Sequence, residues 1–94
     1  MKAELFLDER HQLGPESFVE LRIWRVSRSV KGSAHNLKYA LVYIVNDVCV
    51  LRYDNEAGKG DHRHLGTNET VYTFTTPAAL LADFWKDVDQ WRPK

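Results

Sequence analysis

The stretch KYALVYIVNDVCVLRY, residues 38–53, constrains the fold more than any other part of the chain. Two runs rich in β-branched and aromatic residues flank Asn46 and Asp47, which tolerate the positive φ that a tight two-residue hairpin turn demands. Counting outward from that turn pairs Val45 with Val48, Tyr43 with Val50 and Tyr39 with Asp54. Asp54 is thereby placed beside an aromatic residue at the open end of the hairpin, where the chain turns abruptly polar.

The remaining elements arrange themselves around this hairpin. Ala3, Leu5 and Leu7 alternate with Lys2, Glu4, Phe6 and Asp8, which predicts a first strand, and Gly14-Pro15 supplies a turn. SFVELRIWRV follows as a second strand, with Val19, Leu21 and Ile23 on one face and Phe18, Glu20, Arg22, Trp24 and Val26 on the other. Residues 27–36 are polar and carry Arg28, Lys31 and His35, as a loop would. VYTFT, residues 71–75, reads as a fifth strand, and Thr76-Pro77 offers an N-cap and a first-turn proline for a helix. Leu80, Leu81, Phe84, Val88 and Trp91 then recur at three- and four-residue spacing. The expected architecture is α+β: an antiparallel β-meander of about five strands with a C-terminal amphipathic helix packed on one face.

Ninety-four residues are enough for one domain, residues 1–94, with a single modest core, so any site must be assembled on its surface from a few loops. Thirteen basic residues balance thirteen acidic ones, so any basic site is local rather than a property of the whole surface. Cys49, the single cysteine, excludes an internal disulfide and a cysteine-rich zinc site, and its apolar neighbours predict a buried, reduced thiol. The first residues hold acidic side chains at positions 4, 8 and 9, and no segment approaches the roughly 18 apolar residues of a membrane span. The expectation is a cytoplasmic protein with no membrane partner.

Candidate chemistry concentrates in YDNEAGKGDHRH, residues 53–64. Gly58 and Gly60 bracket Lys59, and glycines there allow successive N–H groups to turn toward one anion beside an ammonium. The same residues also read as a plain surface turn, and they lack the pattern of a nucleotide-binding P-loop. If residues 61–64 are extended, His62 and His64 point to one side and Asp61 and Arg63 to the other. Two imidazoles can divide acid and base duties near neutral pH, and Arg63 or Lys59 can stabilise a phosphorane, which suffices for metal-free RNA cleavage by a 2′-hydroxyl.

Other readings of these residues compete. His-x-His also suits zinc, with Asp54, Asp61 or His11 as a third ligand, although structural zinc usually takes four ligands and no cysteine is at hand. The histidines can equally serve as ordinary hydrogen-bonding groups of a polar loop. Trp24, Trp85 and Trp91 read as packing residues, with Trp24 able to stack on a base if exposed between Arg22 and Arg25. Tyr53, ending a strand, reads as structural or as a substrate contact, and Asp83 and Asp87 read as a solvated helix face.

YDNEAGKGDHRH, together with FVELRIWRV and the final LLADFWKDVDQW, resembles the TumE-type toxins of bacterial toxin–antitoxin modules over nearly the whole chain. The resemblance implies a toxin held inactive by a cognate antitoxin protein, and it carries no catalytic residue list. Tyr53, Asp54, Asn55, Glu56, Gly58, Lys59, Gly60, Asp61, His62, Arg63 and His64 are the matching positions, with Ala57 the one variable place. Size and layout also resemble the RelE-like ribonuclease toxins, by analogy of fold, though net neutrality counts against ribosome-dependent action.

The leading expectation is therefore a metal-independent endoribonuclease toxin without cofactor. His62 and His64 would act as base and acid, Asp61 or Asp54 would orient an imidazole, and Lys59, Arg63, Gly58, Gly60, Tyr53 and Asn55 would contact an RNA substrate. The alternatives are a non-enzymatic module that docks a protein through Arg22, Trp24 and Arg25, and a metal-dependent nuclease using Asp54, Asp61 and the His pair. An exposed edge strand would suit a homodimer or antitoxin pairing.

Overall fold

In the computed structural model, which describes residues 4–56 and 60–92, six strands precede one helix. They are β1 (Glu4–Gly14), β2 (Ser17–Arg25), β3 (Leu37–Val45), β4 (Val48–Asp54), β5 (His62–Leu65), β6 (Asn68–Val71) and α1 (Pro77–Trp91). The strands lie in the sheet in chain order, each antiparallel to the next, so the expected meander with a C-terminal helix is observed. The sheet gains a strand over the expected five because HRHL, residues 62–65, pairs on both sides. Of residues 71–75 only Val71 is in a strand. Lys2 and Ala3, part of the expected first strand, lie outside the described residues.

Period-two alternation decides which face is covered. Val19, Leu21 and Ile23 of β2, Tyr39, Leu41 and Tyr43 of β3, and Leu51 and Tyr53 of β4 are all buried, and Leu80, Phe84 and Val88 of α1 close over them. Those helix residues recur every fourth position and so share one stripe. Burying a side chain the size of Phe84 contributes about 2–3 kcal/mol. Thr76 caps the helix, its Oγ1 accepting from the Ala79 N–H at 3.1 Å, and Pro77 occupies the first turn, where an N–H would have no partner.

The hairpin turn forms as expected, with φ of 50° at Asn46 and 65° at Asp47. Beyond it the register departs from simple counting. Ile44 faces Cys49, but Tyr43 faces Leu51, Leu41 faces Tyr53 and Ala40 faces Asp54, leaving Val50 as the extra residue of a β-bulge. Without the bulge, Val50, Arg52 and Asp54 would share the core face with Tyr43, Leu41 and Tyr39. The extra residue turns Leu51 and Tyr53 inward and moves Arg52 and Asp54 to the uncovered face, so Asp54 pairs with Ala40 and not with Tyr39.

Cys49 also departs from expectation: it is exposed, because it lies opposite Ile44 beside the turn, on the side of the sheet that α1 does not cover. Trp91 is 40% exposed at the end of α1, with its ring edge-on to Tyr43, and Trp24 is half-buried on the uncovered face with the Lys38 ammonium 5.5 Å from its ring.

Candidate functional site

Directly paired residues of neighbouring strands point to the same side of a sheet, so the register lays out the uncovered face row by row. One row runs Asp8, Arg22, Ala40, Asp54, His62, Val71 across the six strands. The next runs Arg10, Glu20, Val42, Arg52, His64, Glu69. Asp54, His62, His64, Glu69 and Arg52 therefore meet at the β4–β6 end of this face. The face itself is a mixture of charges: Arg22 pairs with Asp8 and Glu20, and Lys38 with Glu56.

Within the cluster, His62 is 5% exposed and Asp54 4%. The Nδ1 of His62 lies 2.9 Å from the carbonyl oxygen of Gly60. A carbonyl only accepts, so Nδ1 carries the hydrogen and Nε2 is turned into the cluster. There it stands 3.1 Å from Asp54 Oδ1 and 3.7 Å from Glu69 Oε2. His64 Nε2 is 3.0 Å from Glu69 Oε2, and the two imidazole rings stand edge to face with centroids 4.8 Å apart. Asp54 Oδ2 accepts from Arg52 Nε. Desolvation works to lower the Arg52 pKa, but the bond and charge of Asp54 outweigh it and leave the guanidinium firmly charged. Asp54 Oδ1 has no hydrogen-bond donor among the described residues.

Gly60 supplies more than a carbonyl. Its φ of 87° is a left-handed conformation, and a Cβ there would come within 2.8 Å of the Gly32 carbonyl oxygen. The loop of residues 26–36 thus presses against the entry to β5, and a polar network holds it in place. Asp61 accepts from Ser33 Oγ at 2.6 Å, His35 Nε2 at 2.7 Å and the Tyr39 hydroxyl at 2.7 Å. Burial pushes the Asp61 carboxyl up, but these bonds outweigh it and hold it below the usual carboxylate range. His35 Nδ1 accepts from the Leu37 N–H, and its ring stacks on Phe74 with centroids 3.8 Å apart. Asn55, fully buried, accepts from the Tyr39 N–H and donates to Ser33 Oγ and the Leu37 carbonyl.

The expected site residues thus separate into three places. Asp54, His62 and His64 come together, with Gly60 as their anchor. Asp61 and Asn55 sit in the loop-fastening network. Tyr53 and Arg63 lie on the covered side with α1: the buried Tyr53 hydroxyl donates to Asp87, and Arg63 donates to the same carboxylate at 3.0 Å. Asp87 is accordingly a packing partner rather than part of a solvated helix face. Gly58 and Lys59 lie outside the described residues. Sequence reasoning missed Glu69 and Arg52; the signal for Glu69 was Gly66-Thr67, a second two-residue turn from which His64 and Glu69 pair directly.

The family model described as Toxin TumE matches residues 2–92. The chain belongs to the TumE toxin family. Family membership makes this TumE protein the toxin component of a toxin–antitoxin system, with a cognate antitoxin as partner. No curated protein and no solved structure matches the chain. Among the described residues of this TumE chain, no helix is long and apolar enough to cross a membrane.

Proposed function

We propose that this toxin is an endoribonuclease and that its reacting centre is the Asp54–His62–His64 cluster on the uncovered face. The observation that supports the reading is convergence: one ligand or base atom from each residue lies within 4.8 Å of the others. These are the residue types that phosphodiester chemistry requires, gathered from two strands onto one point. Both imidazoles aim their Nε2 atoms at the Glu69 carboxylate, so they act on a single reacting centre and not from opposite sides of a phosphate.

In this reading the 2′-hydroxyl oxygen of RNA attacks the adjacent phosphorus and passes its proton to a basic atom of the cluster. The bond from phosphorus to the 5′ oxygen breaks, and that oxygen takes up a proton from water. The products are a 2′,3′-cyclic phosphate and a 5′-hydroxyl end. His62, buried and fixed through Gly60, positions the centre. Trp24, Lys38 and Arg22, along the same face, line the path by which a strand would reach it.

Expression of the chain without antitoxin, followed by mapping of RNA 5′ ends, tests the reading. Growth arrest with accumulation of 5′-hydroxyl fragments is expected for the wild type, and neither for His64→Ala. Arrest with intact RNA would overturn the ribonuclease and leave a toxin that acts by binding.

A further inference from the structure

Asp54, His62 and His64 converge on one point with Glu69 beside the two imidazoles, and the hydrogen bonding of Asp54 is unfinished. His62 donates through Nδ1 to Gly60, which leaves the Nε2 of a neutral ring with a lone pair only. Asp54 Oδ1 lies 3.1 Å from that nitrogen, yet the two are not aligned as a hydrogen bond, and Oδ1 has no other donor among the described residues. A buried carboxylate oxygen left in that state carries the full cost of its lost hydration. The other oxygen of the same carboxylate is held by Arg52, so Oδ1 is fixed in place and aimed at the common point.

We propose that Asp54, His62, His64 and Glu69 bind one divalent transition-metal ion of the zinc class. The proposal rests on the preceding reading for the site's role and deepens it. Ligand atoms about 2.1 Å from a tetrahedral ion stand roughly 3.4 Å apart. Three of the separations lie close to that value, 3.1 Å from Asp54 Oδ1 to His62 Nε2, 3.7 Å from His62 Nε2 to Glu69 Oε2 and 3.0 Å from His64 Nε2 to Glu69 Oε2, and the ligand atoms of Asp54, His62 and His64 all lie within 4.8 Å of one another. Asp54, His62 and His64 lie on facing positions of β4 and β5, with Glu69 opposite His64 on β6, so the sheet presents the four side chains together.

Two outer contacts match those that metal ligands need. Gly60 fixes the His62 tautomer by accepting from the ring nitrogen that faces away, and Arg52 orients Asp54 through the oxygen that does not point inward. Imidazole nitrogens favour zinc-class ions over Mg²⁺ or Ca²⁺, which prefer all-oxygen sites. A dication held by these residues would place positive charge where the phosphate must arrive, and it would lower the pKa of an oxygen bound to it.

The test is direct binding to the full-length chain stripped of metal by chelator, read without RNA. Titration with Co²⁺ is expected to give visible d–d absorption saturating at one ion per chain, displaced by Zn²⁺ and not by Mg²⁺. His64→Ala and Glu69→Gln remove partly exposed ligands and should weaken Co²⁺ and Zn²⁺ binding more than Arg52→Gln, for which an outer-contact loss of about 10-fold is expected. Absence of a saturable one-ion signal in the wild type, or binding unchanged in His64→Ala and Glu69→Gln, would overturn the proposal. Metal binding without RNA cleavage would sink the ribonuclease and leave the metal site standing. Cleavage by stripped protein in chelator at the rate of the metal-loaded protein would overturn the ion's part in the reaction and leave the ribonuclease standing.

Discussion

Asp54 and His62 face each other across the β4–β5 ladder with Oδ1 and Nε2 3.1 Å apart, both residues nearly excluded from solvent. That pair exists because Val50 bulges out of β4 and rolls Asp54 away from the apolar core. Deletion of Val50 removes the extra residue yet leaves Leu51 opposite Tyr43, Tyr53 opposite Leu41 and Asp54 opposite Ala40, so Arg52 and Asp54 stay on the uncovered face. The expected outcome is cooperative unfolding in urea for the deletion variant, as for the wild type; loss of cooperative unfolding on deletion would show that Val50 is not the extra residue of the strand.

Gly60 joins the backbone to the site. Gly60→Ala must hold a left-handed φ and relieve a 2.8 Å approach to the Gly32 carbonyl, so we expect a stability loss of about 2 kcal/mol in chemical denaturation. Because the Gly60 carbonyl fixes His62, activity should fall further than the folded fraction does. Gly66→Ala supplies the comparison: its φ is 61° but no atom lies near its Cβ, so only the backbone cost of about 1 kcal/mol is expected, without a loss of site geometry.

Asp61 predicts a pH signature. Its carboxyl is held low in the folded chain, so the unfolded chain takes up the proton at a higher pH than the folded one. The stabilisation is therefore complete above about pH 4 and is lost as pH falls through the lowered value. Asp61→Asn should cost about 2 kcal/mol at neutral pH and flatten the acid limb of the stability curve. An acid limb unchanged by the substitution would show that Asp61 does not carry it.

The covered side of the sheet offers a control. Asp87→Ala strips the partner from the buried Tyr53 hydroxyl and from Arg63, and a loss of about 1–3 kcal/mol is expected in thermal or urea unfolding. Arg63→Ala should be milder, about 1 kcal/mol, because its guanidinium pairs near the surface. Below the unfolding transition both should retain the wild-type rate of RNA cleavage, since neither reaches the Asp54–His62–His64 face. A hundredfold rate loss in folded Arg63→Ala would return Arg63 to the substrate.

Much of this was legible in the residues themselves. Asn46-Asp47 between two β-rich runs located the central hairpin, and the four-residue recurrence of Leu80, Phe84 and Val88 located the covering helix. Period two alone put His62 and His64 on one side and Arg63 on the other. The bulge at Val50 was not written in any short motif; it follows from the conflict between strict alternation and the need to bury Leu51 and Tyr53 rather than Arg52. Cys49 sat in an apolar run yet is exposed, because apolarity along a strand does not reveal which face of the sheet a residue takes beside a bulge. Glu69 was recoverable by counting from Gly66-Thr67. The association of Asp61 with Ser33 and His35 was not, since it joins segments far apart in sequence through side chains alone.

The most direct measurement is the initial rate at which the purified, antitoxin-free chain cleaves an end-labelled RNA, wild type against His64→Ala, with matched circular dichroism for both. The account predicts that the wild type generates 5′-hydroxyl fragments and that His64→Ala is slower by about 100-fold or more while equally folded. Equal rates in the two folded proteins would contradict it.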